Sequence, residues 1–207
     1  NKDLKRDFYG LVPVLEFRTI PLDDSFNLAF KRVFDVVFSI LVIGFIMSWL
    51  TPILALLIKL ESRGPIFFRQ QRNGYNYKTF SCYKFRSMII NNEADTIQVS
   101  KADDRITVIG KFIRQTSIDE LPQFFNVLKG DMSIIGPRPH DKLEDVYFSQ
   151  NIDKYDLRKS IKPGITGLSA VNGNRGGTDL QIIEKRVDFD LEYIEKQNFI
   201  FDLVIFF

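Results

Sequence analysis

Residues 116–139 read TSIDELPQFFNVLKGDMSIIGPRP, and much of the local architecture can be predicted from this stretch. A helix is predicted from about Asp119 to Leu128. Gly130 stands where a C-cap glycine ends a helix. Residues 132–135 then predict a short buried strand or turn, and a turn built on Pro137-Arg138-Pro139 closes the stretch.

Two adjacent carboxylates, Asp119 and Glu120, stand at the start of the predicted helix. A purely structural interpretation is available, since Ser117 and Glu120 fit a capping box and acidic residues suit the positive end of a helix. Pro122 is tolerated in the first turn, where backbone amides lack partners in any case. Taken alone, the pair is more often a helix cap than a site, so its surroundings must decide.

Lysine and arginine residues surround this pair in the sequence, and they outnumber what two carboxylates need. Arginine binds phosphate through two parallel hydrogen bonds. Adjacent carboxylates facing a diphosphate are natural ligands for Mg²⁺, and an aspartate can attack phosphorus to form an aspartyl phosphate. The stretch therefore predicts phosphate chemistry. The cations are Lys84, Arg86, Arg105, Lys111, Arg114 and Arg138.

The composition limits the classes of protein to consider. A chain of 207 residues with 45% hydrophobic content suffices for one compact domain. A formal net charge of +2 argues against a nucleic-acid binder, which is usually more basic along one face. The single cysteine, Cys82, has no partner for a disulfide or a zinc site and is predicted to pack within a strand. The single histidine, His140, follows the Pro-Arg-Pro turn, which disfavours serine–histidine or cysteine–histidine catalysis.

An apolar segment without any charged residue extends from Val36 to Ile58. As a helix it would be about 34 Å long, enough for a hydrocarbon core of about 30 Å. Pro52 removes a backbone donor, so we expect a break near Thr51-Pro52, where the threonine hydroxyl can satisfy a freed carbonyl. Basic residues flank both ends, so the positive-inside rule gives no direction. A kinked single span and a re-entrant helix, which enters and leaves by the same face, both fit these features.

The remaining segments predict a mixture of helix and strand. Residues 1–30 are expected to form an extended linker. A hairpin is expected from residues 66–68 and 78–85 around Asn73-Gly74, followed by a helix from Val108 to Gln115. The final apolar run, residues 199–207, is expected either to be buried or to lie in the membrane interface. Before it, an amphipathic helix is predicted from the apolar stripe Leu180, Ile183, Val187, Leu191 and Ile194.

Six motifs follow one another along the chain: KFRSM at 84–88, DRIT at 104–107, GKFIR at 110–114, SIDELPQ at 117–123, GPRP at 136–139 and KPGITG at 162–167. In this order and spacing they resemble the bacterial sugar transferase family, the monotopic phosphoglycosyl transferases that act on polyprenyl phosphate. The resemblance extends from about Lys31 to the end of the chain. The linker and the segment 171–177 are similar to the large branch of the family, in which this unit follows transmembrane helices and a nucleotide-fold domain.

The resemblance implies a distinct role for each carboxylate. Asp119 is implied as the nucleophile, which attacks the β-phosphate of a UDP-sugar, expels UMP and holds the sugar phosphate until polyprenyl phosphate takes it. Glu120 is implied as its partner in binding Mg²⁺ beside the diphosphate. Arg138 is implied as the arginine of the family's Pro-Arg-Pro motif. The candidates for phosphate or nucleotide contacts are Lys84, Arg86, Lys111, Arg114 and Arg175.

Three other positions bear on the resemblance. Thr51-Pro52 falls where the family breaks its re-entrant helix, which favours re-entry over a span. Leu168 stands where many members carry tryptophan, and Phe124-Phe125 stands where Leu-Trp is common. Neither substitution removes a chemical group.

The architecture expected from these features is an α+β fold. It consists of a linker over residues 1–30, a re-entrant membrane helix over 31–60 and a small, mostly helical catalytic domain over 61–207 that carries a short β-hairpin. The resemblance places the catalytic domain on the cytoplasmic face of the bacterial inner membrane, in contact with membrane lipid. It implies UDP-sugar and polyprenyl phosphate as substrates and no nucleic acid, and it leaves a homodimer open.

The function implied is the initiating membrane step of exopolysaccharide, capsule or O-antigen synthesis. Two alternatives stay open at this point. One is a membrane glycosyltransferase that makes a glycosidic bond and releases UDP. The other is a non-catalytic scaffold that binds anionic lipids through its basic residues.

Overall fold

The computed structural model describes residues 20–90, 103–174, 176, 177 and 179–207, together with the backbone of two strands at residues 4–9 and 12–17. Helices and short two-stranded sheets alternate along the chain, which confirms the mixed α and β architecture. The strands are β1 (Leu4–Tyr9), β2 (Val12–Phe17), β3 (Phe67–Asn73), β4 (Thr79–Phe85), β5 (Ser133–Ile135) and β6 (Gly164–Thr166). The helices are α1 (Ser25–Leu41), α2 (Ser48–Glu61), α3 (Val108–Gln115), α4 (Gln123–Lys129), α5 (Lys142–Asn151), α6 (Leu168–Val171), α7 (Leu180–Lys196) and α8 (Phe199–Phe206).

Within the predicted linker, the described residues include regular secondary structure. Strands β1 and β2 pair antiparallel, and α1 begins at Ser25, before the predicted boundary at Lys31. The start is fixed by Asp24, whose side chain accepts a hydrogen bond of 3.2 Å from the backbone of Asn27. An aspartate at this position satisfies one of the amides that a helix start leaves without a partner. The linker prediction is therefore wrong for residues 25–30.

The helix does not break at Thr51-Pro52, where the sequence predicts a break or kink, and a kink there stays a prediction. The helix extends over 37 residues from Ser25 to Glu61, and it is long and apolar enough to cross a membrane. Its irregularity is a π-helical turn at Val42–Met47, where the amide of Ser48 donates to the carbonyl of Ile43. Pro52 itself lies inside α2. Proline lacks an amide and crowds the carbonyl four residues earlier, so strain from Pro52 would fall on its N-terminal side, where the π-helical turn ends at Met47.

One side of this long helix packs on the rest of the domain between Lys31 and Ile58. The buried residues on that side are Lys31, Asp35, Ser39, Val42, Met47, Leu54 and Ile58. The opposite side exposes large apolar residues, including Val33, Val37, Phe45, Trp49, Ile53, Leu56 and Leu60. A helix whose uncovered side is apolar presents a hydrophobic surface that suits lipid.

Both ends of the long helix are attached to the same domain. Near its start, Arg32 donates to the main-chain carbonyls of Val127 and Leu128, at 2.5 and 2.8 Å. At its end, the carboxylate of Glu61 accepts hydrogen bonds from the amides of Val108 and Ile109, which open α3. The domain thus holds the helix at both of its ends.

The predicted hairpin is confirmed as β3 and β4, which pair antiparallel with Asn73 opposite Thr79. Asn126, a fully buried residue of α4, extends this sheet edge: its side-chain oxygen accepts from the amide of Tyr83, and its side-chain nitrogen donates to the carbonyl of Ser81. This bidentate contact fixes α4 beside the end of β4, where Lys84 lies.

The strand-or-turn predicted at 132–135 is the strand β5, and it pairs in parallel with β6. The pairing brings Gly136 against Gly164 so closely that a Cβ on Gly164 would lie 2.2 Å from the amide nitrogen of Gly136. Only glycine permits such a backbone approach. The Pro137-Arg138-Pro139 turn leaves β5 at this contact, so its position is set by the pairing of two distant motifs.

The C-terminal helices complete the core. In α7, Ile183, Val187 and Ile194 are buried, which confirms the predicted stripe. In α8, Asp202 and Ile205 are buried, whereas Ile200, Val204 and Phe207 near the end of the chain are exposed, so the final apolar run is buried on one face only. The two helices are joined to the long helix by a buried network of Lys31, Tyr193, Gln197 and Asp202.

Candidate active site

The two carboxylates lie on a corner between α3 and α4 rather than at the start of a helix. Residues Ile118–Glu120 form a single 3-10 turn, and α4 begins only at Gln123, with Pro122 as its N-cap residue. The prediction of one helix from Asp119 is therefore wrong at its start. The predicted capping box does not form either, because the side chain of Glu120 turns to other partners. The C-cap prediction is confirmed, since Gly130 adopts a left-handed φ of 90°.

Ser117, which precedes the turn, adopts a left-handed conformation with φ of 58°. Such a conformation is uncommon for a residue other than glycine and persists only where the surroundings impose it. It ends α3 sharply, and as a result Asp119 and Glu120 face the end of β4 and the Pro-Arg-Pro turn.

Glu120 is held by two cations from different parts of the chain. Lys84 Nζ lies 2.9 Å from its Oε1, and Arg138 donates to both carboxylate oxygens, at 2.6 and 3.2 Å. Burial by itself would raise the pKa of Glu120, but the charges and hydrogen bonds of Lys84 and Arg138 lower it far below its usual range. Glu120 is therefore ionised and keeps both cations in place.

Asp119 has a different environment from its neighbour. Its side chain is buried, with 8% exposed, yet it accepts no hydrogen bond from any residue that the structure describes. Burial raises the pKa of Asp119, against the attraction of Lys84, Arg114 and Arg138. A largely buried carboxylate that lies near cations without a hydrogen bond to them has the chemistry of a base or nucleophile.

Two arginines hold the backbone carbonyls of Arg138 and Pro139. Arg158 donates to the carbonyl oxygen of Arg138 at 2.8 Å, and Arg72 donates to the carbonyl oxygen of Pro139. Arg158 in turn forms a buried ion pair of 2.7 Å with Asp190. These contacts orient the Arg138 guanidinium toward Glu120.

Two of the predicted phosphate-binding residues lie on α3. Arg114 is exposed and near enough for its charge to lower the pKa of Asp119, and its guanidinium lies 3.7 Å from the sulfur of Met88. Lys111 is exposed one turn earlier and forms no ion pair with Asp119 or Glu120. The structure thus brings Lys84, Arg138 and Arg114 around the carboxylates and leaves Lys111 outside that group.

Arg86 lies elsewhere than the sequence predicted. It is 6% exposed, and its guanidinium donates to the carbonyls of Ser62 and Arg63 at 2.7 and 2.6 Å and of Ile58 at 3.4 Å. The carbonyl of Ile58 belongs to the last turn of α2 and the other two follow directly after it, at a helix end that leaves acceptors without partners. Arg86 is a cap of the long helix, and this geometry does not support the predicted phosphate contact.

The last predicted contact residue, Arg175, lies outside the described residues, so its role stays a prediction. Arg105, which belongs to the cationic group in the sequence, forms an ion pair of 2.7 Å with Asp103. Cys82 is buried in β4 as predicted.

The sequence alone does not reveal that His140, Arg158 and Arg186 form a buried cluster next to the Pro-Arg-Pro turn. His140 lies between Arg158 and Arg186, and its pKa is lowered well below its ordinary value by burial and by both arginines. A signal was present in the sequence, because Arg186 and Asp190 interrupt the apolar side of the amphipathic helix one turn apart. Charged residues on the buried side of a helix are rarely left without partners.

The carboxylate pair can also serve a divalent cation. Among the described residues no group of three or more histidine, cysteine, aspartate or glutamate side chains forms a metal cluster. Mg²⁺ at phosphate-transfer sites needs only one or two carboxylates, because substrate oxygens and water supply the rest. The pair fits such a site. Asp119 is the more available ligand for a cation, since Lys84 and Arg138 already bind Glu120.

These features define a class: a membrane-associated domain whose carboxylates and cations are suited to phosphate groups. The chain belongs to the bacterial sugar transferase family, whose sequence model matches residues 26–207. The family predicted from the six motifs is thereby confirmed.

Individual relatives agree with this assignment. The chain is 45% identical over 198 residues to the UDP-glucose:undecaprenyl-phosphate glucose-1-phosphate transferase of Klebsiella pneumoniae, covering 95% of this chain and 42% of that protein. It is 41% identical to the undecaprenyl-phosphate galactose phosphotransferase of Salmonella typhimurium, with 86% and 39% covered. It is 39% identical to the exopolysaccharide production protein PSS of Rhizobium leguminosarum, with 87% and 93% covered. The chain spans less than half the length of the first two.

Proposed function

We propose that this protein transfers a sugar 1-phosphate from a UDP-sugar to polyprenyl phosphate through a covalent intermediate on Asp119, with release of UMP. The observation that carries the proposal is the buried carboxylate of Asp119, which accepts no hydrogen bond from the described residues while cations lie around it. The names of the relatives support the substrate class, since those of the first two specify undecaprenyl phosphate and a sugar phosphate.

In the first half of the reaction, an oxygen of Asp119 attacks the β-phosphorus of the UDP-sugar. The bond between this phosphorus and the oxygen that bridges to the α-phosphate breaks, and UMP leaves with the electron pair. Lys84 and Arg138 offset the negative charge of the diphosphate, which would otherwise repel the attacking carboxylate. Glu120 keeps these two cations in position before the substrate arrives.

In the second half, a phosphate oxygen of the polyprenyl acceptor attacks the same phosphorus. The bond to Asp119 breaks, the carboxylate is restored, and a polyprenyl diphosphate sugar is formed. The two-step route lets the soluble donor and the lipid acceptor use one site in turn. We include Mg²⁺ in the proposal: held by Asp119, Glu120 and substrate oxygens, it would supply further neutralisation of the diphosphate.

The long helix gives this chemistry its location. Its exposed apolar side and its attachment to the domain at both ends support a helix that enters and leaves the membrane by one face. The acceptor phosphate stays at headgroup depth, so the carboxylates must lie near that surface. We place the domain on the cytoplasmic face of the inner membrane, where nucleotide sugars are available, and the reaction at the start of a polysaccharide pathway.

The identity of the released nucleotide tests the reaction type. The membrane-embedded protein is incubated with Mg²⁺, polyprenyl phosphate and a panel of UDP-sugars, and the nucleotide product is separated by chromatography. UMP is expected with at least one donor. Release of UDP would instead identify a glycosyltransferase, and no consumption of any donor would favour a scaffold that binds lipid only.

A further inference from the structure

Arg186 has an unusual set of partners for a buried cation. It lies on α7 with 4% of its surface exposed. Its Nε donates to the carbonyl of Asn174 at 3.1 Å, and its Nη2 lies 3.3 Å from the carbonyl of Gly176. Its Nη1 lies 2.9 Å from Nε2 of His140. We call the segment between α6 and α7 the α6–α7 loop. The side chain of Arg186 therefore connects this loop to the turn that carries Arg138.

His140 has hydrogen-bonding partners on both of its ring nitrogens. Nε2 lies 2.9 Å from Nη1 of Arg186, and Nδ1 lies 3.2 Å from Nη1 of Arg158 and 2.6 Å from the hydroxyl of Tyr155. The Tyr155 hydroxyl in turn donates to Asp145 at 3.0 Å. These contacts fix the orientation of the ring between the two arginines.

The charge of Arg186 is not neutralised by an ion pair. Arg158, the other arginine on His140, is paired with Asp190 at 2.7 Å, whereas Arg186 forms no ion pair with any carboxylate in the part of the chain that the structure describes. Burying a guanidinium without a counterion is costly. All of its hydrogen bonds go to the α6–α7 loop and to His140. This pattern indicates that Arg186 serves to hold the loop.

We propose that Arg186 is a positioning residue for donor binding, whose planar fork holds the α6–α7 loop against the Pro-Arg-Pro-His turn beside the carboxylates. This inference rests on the proposed function, since the donor is taken to be a UDP-sugar. In this proposal the part of the loop held by Arg186, at Asn174 and Gly176, contacts the donor, and a loop that is already ordered costs less to bind than one ordered by the ligand. Loss of the fork therefore weakens donor binding and leaves the chemical step on Asp119 largely intact.

Two substitutions distinguish the hydrogen-bonding geometry of the Arg186 guanidinium from its positive charge. Arg186→Lys keeps the charge but cannot reach two carbonyls and a histidine at once, and Arg186→Gln removes the charge. Lys185→Met is the matched control, because Lys185 is the exposed neighbour on the same helix. In the full chain in lipid nanodiscs, both Arg186 variants are expected to raise the donor KM roughly tenfold with kcat within about threefold, while the control is unchanged.

A donor KM equal to wild type in Arg186→Lys would overturn the positioning role, because charge alone would then suffice. A fall in kcat at constant KM would overturn it as well. If both Arg186 variants unfold, His140→Phe tests the proposal instead. This variant keeps a ring beside Phe148 and Tyr155 but removes the nitrogen that contacts Arg186. It is expected to raise the donor KM in the same way.

Hydrogen exchange gives a readout that does not depend on activity. Peptides covering residues 172–177 are expected to exchange faster in Arg186→Lys than in wild type, while peptides of α7 and β5 keep their rates. Unchanged exchange in the loop would contradict the positioning role even in an active enzyme. If wild type released no UMP but the loop responded as expected, the proposed function would fail and the structural role would stand.

Discussion

A hydrogen bond of 2.8 Å joins the guanidinium of Arg158 to the main-chain carbonyl of Arg138, 20 residues away in the sequence. Arg158 is buried and paired with Asp190, and Arg138 binds both oxygens of Glu120. A continuous set of contacts thus runs from α7 to the carboxylate pair. Arg158 touches no reacting group, so its effect on the reaction depends on the position of Arg138.

This relationship predicts the result of Arg158→Lys. Lysine cannot bind Asp190 and the carbonyl together, so Arg138 shifts relative to Glu120. Misplacement by about 1 Å can cost roughly a hundredfold in rate, and we expect kcat to fall about 10- to 100-fold with little change in donor KM. Steady-state kinetics at saturating acceptor measure both constants. A folded variant with wild-type kcat would contradict the positioning of Arg138 by Arg158.

The pH dependence of the reaction follows from the different environments of the two carboxylates. Asp119 must be ionised to attack phosphorus, and burial raises its pKa. The pKa of Glu120 is lowered, so Glu120 stays ionised throughout the assay range. We expect kcat/KM to fall with a slope of one as the pH drops through the raised pKa of Asp119. A slope of two on the acid side would show that Glu120 titrates as well.

The same shift predicts a gain in stability for Asp119→Asn. A carboxyl group whose folded-state pKa is raised binds its proton more tightly when folded, so ionisation destabilises the fold as the pH rises past the unfolded and then the folded pKa. At pH 7 asparagine removes this penalty, and we expect a higher Tm together with lost turnover. At a pH below the unfolded pKa the difference in Tm should vanish. A lower Tm at pH 7 would mean that the ionised group stabilises the fold.

Arg86 and Lys84 offer a contrast between a structural and a chemical cation. Arg86→Met leaves carbonyls at the end of α2 without a donor, at a cost on the order of 1–3 kcal/mol in the free energy of unfolding. The folded fraction should keep its donor KM. Lys84→Met removes a cation from Glu120 and should lower kcat by about tenfold or more, since preorganised charge is lost from the site. Thermal unfolding and kinetics on both variants check this, and a raised donor KM in Arg86→Met would restore the phosphate contact predicted from the sequence.

The attachment of the long helix predicts its topology. Cysteines introduced at Ser25 and Arg63 mark its two ends, and the native Cys82 is buried and should not react. In inverted and right-side-out vesicles, both marker positions are expected to label only from the cytoplasmic side. Labelling of one marker from the opposite side would establish a span.

Local signals were enough to predict several parts of the fold. Gly130 ends α4, the stripe of α7 is buried, and β3 and β4 form the expected hairpin. Each depends on residues that are close in sequence. The site was predicted less completely, because its geometry depends on partners far apart. Glu120 fits a capping box locally, yet Lys84, 36 residues away, binds it instead.

Arg86 illustrates the same limit from the other direction. Its place among basic residues suggested a phosphate contact, and only the path of the chain shows that the end of α2 meets its guanidinium first. Likewise, the pairing of Arg186 with His140, 46 residues apart, could not be read from spacing. Pro52 was recognised as a helix distortion, but whether the chain breaks there or widens into a π turn earlier depends on how the helix packs against the domain.

Covalent attachment of the sugar phosphate to Asp119 can be detected by mass spectrometry. The full chain in lipid nanodiscs is incubated with Mg²⁺ and a UDP-sugar that it turns over, without polyprenyl phosphate, and the protein is analysed by intact and peptide mass spectrometry. We expect an adduct of one sugar phosphate on the peptide that contains Asp119, absent from Asp119→Asn and removed when acceptor is added. Full turnover by Asp119→Asn, or an adduct on a different residue, would contradict attachment to Asp119.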